Sequence, residues 1–174
     1  MNRRFSALVF SIAVCALAVA CSGKEEAVKT RDSDTVKAGV ERTSSRILEM
    51  LDVRGKVTKP GAMTLPCSGY DSAEEVYRAR HPWSVYEASF ADIQKAMNRL
   101  RAELPKGGWK IVKDGPDRSQ GKSPQIVAES EGREFAVDVR LHKEVKAENS
   151  PPMLEVTVES RCYRSPVTPT ASEG

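Results

Sequence analysis

The sequence predicts an α+β fold: an antiparallel sheet of about four to six strands with one or two helices packed on one face. Three observations carry that prediction. In Arg133–His142, Phe135, Val137, Val139 and Leu141 alternate with Glu134, Ala136, Asp138 and Arg140. In Met153–Tyr163, Leu154, Val156, Val158 and Cys162 alternate with Glu155, Thr157, Glu159 and Arg161. Between residues 89 and 104 the apolar period changes to that of a helix, with Phe90, Ile93, Met97, Leu100 and Leu104 in one stripe. Strands with one dry and one wet face belong to a sheet that helices cover on one side only.

The elements follow in order. A first helix is expected over Ser33–Leu51, capped by Asp32, Ser33 or Asp34. Its stripe is Val36, Val40, Ile47, Leu48 and Leu51, with Thr43 filling a gap; the thin N-terminal half is expected to fray. Val53–Lys59 reads as a short strand stopped by Pro60-Gly61, and residues 60–74 as a loop containing Cys67. Val76–Tyr86 reads as a strand, with Tyr77, Ala79, His81, Trp83 and Val85 on one face and Arg78, Arg80 and Ser84 on the other. Pro82 has no N–H to donate, which suits an edge strand or a bulge. Ser89 caps the second helix, with Asp92 in capping-box position, and Pro105 and Gly107-Gly108 end it. Trp109–Lys113 and Gln125–Ser130 are short strands, residues 114–124 a mobile polar loop, and Glu131-Gly132 a tight turn. A second long loop covers residues 143–152, and residues 165–174 form a disordered tail. One globular domain, 33–164, accounts for these elements.

The N-terminus has a different character. Arg3-Arg4 precede an uncharged run from Phe5 to Ala20, too short for a comfortable membrane span. The run ends in Leu17-Ala18-Val19-Ala20-Cys21 and gives way abruptly to Ser22-Gly23-Lys24-Glu25-Glu26. This arrangement resembles a bacterial lipoprotein signal peptide with its lipobox. Ala18, Val19 and Ala20 match the three positions before the lipidated cysteine; Ala18 stands where the family more often has Leu or Val. Cys15 competes poorly, because Val14 precedes it where a small residue is wanted. The resemblance implies that residues 1–20 are a signal peptide and that Cys21 is diacylated and becomes the mature N-terminus. Residues 21–32 would then be a flexible tether, and the domain would lie on the extracytoplasmic face of a bacterial cell membrane. The layout is similar to that of small actinobacterial lipoproteins.

The chain has 174 residues with 27 basic and 24 acidic side chains. Removing residues 1–20 takes away Arg3 and Arg4, so 25 basic residues face 24 acidic ones, a formal +1. That near-neutral balance excludes nucleic acid as the expected partner. With Cys15 discarded and Cys21 lipidated, Cys67 and Cys162 remain in an oxidising compartment. They are expected to form a disulfide, the alternative being two isolated buried thiols.

No G-x-S-x-G, P-loop, dinucleotide fingerprint, C-x-x-C or H-E-x-x-H occurs, and the 114–124 loop lacks phosphate-cradle spacing. His81 reads as a core or edge histidine beside Trp83. His142 with Asp138, Glu155 and Glu159 offers an oxygen-rich set, but residues four apart on a strand lie about 13 Å from each other; a charged face is the better reading. Tyr77, Trp83, Tyr86 and Trp109 are better explained as core filling than as a glycan or peptide groove. No catalytic residue, cofactor or metal is expected. The leading expectation is a non-enzymatic, lipid-anchored binding or structural module, with the membrane and an envelope protein or wall polymer as partners. Two alternatives remain: an envelope hydrolase using His81 or His142, and a carrier of a lipid or other hydrophobe. The carrier requires a large apolar cavity between helix and sheet.

Overall fold

The computed structural model describes residues 27–58, 60–144 and 150–166. The signal-peptide residues 1–20, Cys21, tether residues 22–26 and tail residues 167–174 lie outside the described residues.

Two helices carry the apolar stripes. α1 spans Ser33–Leu51, and the Asp32 side chain accepts from Thr35 N at 2.9 Å, satisfying an orphan donor of the first turn. Its N-terminal half is packed: Val36 and Val40 are buried there, with Thr43, Ser44, Ile47 and Leu51 further along. α2 spans Phe90–Glu103, with Asp92 N donating to the Ser89 hydroxyl at 3.1 Å. Ile93, Ala96, Met97, Leu100 and Leu104 are buried. Asp52 ends α1 in the left-handed conformation (φ 41°). Arg99 of α2 then donates to the orphan carbonyls of Leu51 (3.1 Å) and Asp52 (2.7 Å), locking the two helices together.

The sheet has nine strands among the described residues: β1 Lys29–Thr30, β2 Lys56–Val57, β3 Met63–Pro66, β4 Val76–Tyr86, β5 Trp109–Pro116, β6 Pro124–Ser130, β7 Phe135–His142, β8 Met153–Ser160 and β9 Tyr163–Arg164. The order is β1-β9-β4-β8-β7-β6-β5, with β2 and β3 also pairing with β4. The expected β5–β8 meander is present and antiparallel. Three corrections follow. The sheet has more strands than expected, and it is mixed, because β1 and β9 run parallel. Lys29–Thr30, expected in the tether, form β1; Arg31 fixes them by reaching Glu134 at 2.9 Å while Tyr77 donates to the Arg31 carbonyl at 2.8 Å. The supposed loops at 60–74 and 114–124 contain β3 and the ends of β5 and β6. The remaining turn, 117–123, is knit by Asp117, whose carboxylate accepts from Ser119 N, the Ser119 hydroxyl and Ser123 N. The expected 143–152 loop lies partly outside the described residues.

Pro82 sits in an interior strand, not an edge. β3 pairs with residues 77–80 of β4 and β2 with residues 85–86, leaving a gap between them. Ser84 N points to the Thr58 hydroxyl on that side, so by the period of two the missing Pro82 donor falls in the gap.

A second irregularity lies after β8. Arg80 opposes Glu159, yet Tyr77 opposes Tyr163. Three residues, 160–162, therefore face two on β4, a β-bulge that reverses the alternation. Tyr163 takes the core position at 1% exposure, and Cys162, expected on the apolar face, is half-buried. Cys67 and Cys162 form the expected disulfide with Cα atoms 6.3 Å apart, tying the segment after β3 to this bulge.

The core is one cluster in which both helices meet β4, β6, β7 and β8. Leu100 lies in it, fully buried. Leu100→Ala should lower the unfolding free energy by about 2–5 kcal/mol; a denaturant titration unchanged within error would refute the packing. Thiol titration of the unfolded, non-reduced protein should find neither Cys67 nor Cys162 reactive. Reduction opens a cross-link of sequence separation 95 and should cost about 4–5 kcal/mol by the chain-entropy argument.

Candidate functional site

α1 crosses the sheet with Glu41, Ser44, Ser45 and Leu48 along one edge, spaced as a single helical face. β4 presents His81 and Trp83 to that edge, two residues apart on one strand face. The segment after α1 supplies the opposite wall with Gly55, Val57, Thr58, Pro60 and Gly61. Together they line a groove of about 710 Å³ between helix and sheet, within the size range of small-molecule sites. Glycine is required at position 55: a Cβ there would stand 2.7 Å from the Tyr86 carbonyl oxygen.

The groove has an apolar and a polar part. Leu48, Val57, Pro60 and Trp83 form the apolar lining, and Glu41, Ser44, Thr58 and His81 the polar one. Trp83 is 4% exposed and its Nε1 donor has no acceptor. His81 joins the two walls. Its Nε2 lies 2.7 Å from the Pro60 carbonyl and its Nδ1 2.8 Å from the Ser44 hydroxyl. A carbonyl only accepts, so in the neutral ring Nε2 carries the proton and Nδ1 accepts from Ser44. Glu41 closes the same end by accepting from Ala62 N at 2.9 Å.

A serine donating to an oriented histidine is the beginning of a nucleophile–base chain. Here the orienting group is a neutral carbonyl, and Ser44 is 3% exposed on the packed face of α1. The pair links α1 through His81 to the Pro60 carbonyl. The expected reading of His81 beside Trp83, a hydrogen-bonded histidine, matches this geometry.

Asp138, Glu155 and Glu159 line one hollow on the opposite face of the sheet, with His142 against Glu155, but they do not meet at a single point. His142 Nε2 meets Glu155 at 2.9 Å. Asp138 accepts from Gln125 and Arg140, each at 2.8 Å. Glu159 stands 3.2 Å from Arg80 and 3.6 Å from Arg78. Each carboxylate has its own partner, and no metal-binding cluster of His, Cys, Asp and Glu occurs among the described residues. Of the four aromatics, Tyr77 and Trp83 are core residues, while Tyr86 and Trp109 are half-buried; only Trp83 lines the groove. Ser44 and Glu41 escaped sequence reasoning. Their one signal was position, since a serine next to Thr43 interrupts an apolar stripe exactly where the helix faces His81.

No known family, curated protein or solved structure matches this chain. Among the described residues no helix is long and apolar enough to cross a membrane.

Beside the outer end of β6, two carboxylates are displaced from their ordinary titration range. Asp114 is held low by the paired hydrogen bonds from Arg101. Asp117 is held low first by the Ser119 hydroxyl, then by the backbone N–H groups of Ser119 and Ser123. Both folded-state values lie below the unfolded ones, so this stabilisation is complete above the unfolded carboxylate range and is lost as pH falls through the folded values. Stability measured by denaturant should be level between about pH 7 and 5 and fall below about pH 4. Asp114→Asn should flatten part of that fall; an unaltered acid limb would contradict the assignment.

Proposed function

We propose that the chain is a lipid-anchored binding module of the bacterial cell envelope, held by Cys21 at the extracytoplasmic face of the cell membrane. The groove between α1 and β4 is its ligand site. The observation that supports this reading is the groove itself, apolar along Leu48, Val57, Pro60 and Trp83 and polar at Glu41, Ser44 and His81. That division suits an amphiphile, with an apolar body against Trp83 and a polar head at the histidine end. The carrier of a lipid or other hydrophobe is thus the specific form of binding that the lining favours. The lipobox-like Leu17–Cys21 segment supports the anchor. A thioether-linked diacylglycerol supplies two chains, where a single chain binds only marginally. The hydrolase alternative has the Ser44–His81 pair behind it, and the neutral orienting carbonyl weighs against it.

Two experiments test the parts separately. Cys21→Ala should block lipidation and leave precursor or released protein; normal processing and anchoring of that variant would end the proposal. For the groove, Trp109→Phe leaves Trp83 as the sole tryptophan. Lauric acid should change its emission saturably, and Ser45→Trp, which places an indole at the groove edge, should weaken that binding about tenfold in a calorimetric titration. No saturable response below the micelle-forming concentration would remove the groove from the account.

A further inference from the structure

The face of the sheet opposite the helices has a hollow of its own. Register sets its side chains in rows across the strands. Arg80, Glu159 and Ala136 form one; Pro82, Thr157, Asp138 and Val127 the next; Ser84, Glu155, Arg140 and Gln125 the third. The small side chains of Thr157, Ala136 and Val127 leave a hollow of about 340 Å³, rimmed by Arg80, Asp138, Arg140, Glu155 and Glu159. Thr157, on its floor, is only 8% exposed. Its hydroxyl can donate to, or accept from, a group bound there.

The two ends of the hollow differ in charge. At one end Arg78 and Arg80 share the single carboxylate of Glu159, at 3.6 and 3.2 Å, and both Nε atoms lack an aligned acceptor. Two guanidinium groups against one carboxylate leave a positive surplus with donors to spare. At the other end Asp138 is committed to Arg140 and Gln125, while Glu155 contacts the His142 ring, which is charged only when protonated. A carboxylate accepts through both oxygens, so Glu155 can hold a cation and keep His142. Glu155 and Glu159 are four positions apart on β8, about 13 Å along the strand.

We propose that this hollow binds a short peptide with free ends. Its carboxylate lies on the Arg80 guanidinium, its ammonium on Glu155, and a backbone amide group meets the Thr157 hydroxyl. Three extended residues span about 10–11 Å, and the arginine and glutamate side chains cover the rest. The site is on the opposite face from the α1–β4 groove and does not depend on it.

Calorimetric titration of the full mature chain with tri-alanine tests the proposal. The free tripeptide should bind saturably. N-acetylation or C-amidation should each weaken binding at least about tenfold, as the loss of one charged contact requires. Arg80→Met and Thr157→Val should do the same, with Thr157→Ser restoring affinity, while Trp83→Phe should leave it unchanged. No saturable heat up to about 10 mM, or equal binding of the free and doubly blocked peptides, would overturn the proposal. Both of those arms use the unaltered protein, so neither depends on a variant folding. Loss of tri-alanine binding with lauric acid binding intact would sink this site alone; the reverse would sink the groove alone.

Discussion

Burial of the two helical stripes on one face of the sheet is the constraint from which the rest follows. Ile47 and Leu51 of α1, and Ile93 and Leu100 of α2 with Leu104 just after it, are completely buried against Val85, Ile126, Val137, Val139, Leu154, Val156 and Val158. Each such side chain contributes about 1.5–3 kcal/mol when withdrawn from water. That face therefore cannot accommodate charge, and charged side chains collect on the other. The Glu41–Leu48 edge of α1 lies beside that packed face and lines the groove. Arg99 holds the arrangement by joining the end of α1 to the middle of α2.

β4 turns this packing into a site. It pairs with β2, β3, β8 and β9 and spans the sheet from the disulfide end to the groove. Its inner face supplies Tyr77, Ala79, His81, Trp83 and Val85, of which His81 is only half-buried because the groove lies over it. Its outer face supplies Arg80 to the charged hollow, with Arg78 beside it on Glu159. The break in pairing at Pro82 separates β3 from β2, and the Pro60 carbonyl stands against His81 beside that break. At the other end the bulge at 160–162 turns Tyr163 inward, and Arg31 stacks over that ring with 5.0 Å to its centroid. The disulfide closes the same corner.

How far the sequence reveals this depends on element length. α1, α2 and the β5–β8 meander were legible, because seven or more residues in each element display a period. β1, β2 and β9 have two residues each and β3 has four; so few residues have no period to read, and they become strands only because β4 and β9 offer them edges. The last strand shows the limit of extrapolating a period, since one extra residue moved Cys162 off the apolar face. The disulfide was still legible, because it rested on counting thiols and not on their orientation. The groove was not: His81 and Trp83 were visible as neighbours on a strand, but the helix edge opposite them is a fact of packing. Thr157 was correctly placed on the wet face, while the small neighbours that make a hollow around it lie on two other strands.

The central claim is a lipid-anchored domain carrying a ligand in its α1–β4 groove, and a native mass spectrum of the protein released from its own membrane tests it most directly. The account predicts a chain beginning at Cys21, heavier by a diacylglyceryl group and lighter by the two hydrogens of one disulfide. It also predicts an additional non-covalent amphiphile that is lost when Ser45→Trp fills the groove. A chain of unmodified mass beginning at Cys21 or elsewhere, with no adduct that depends on the groove, would contradict it.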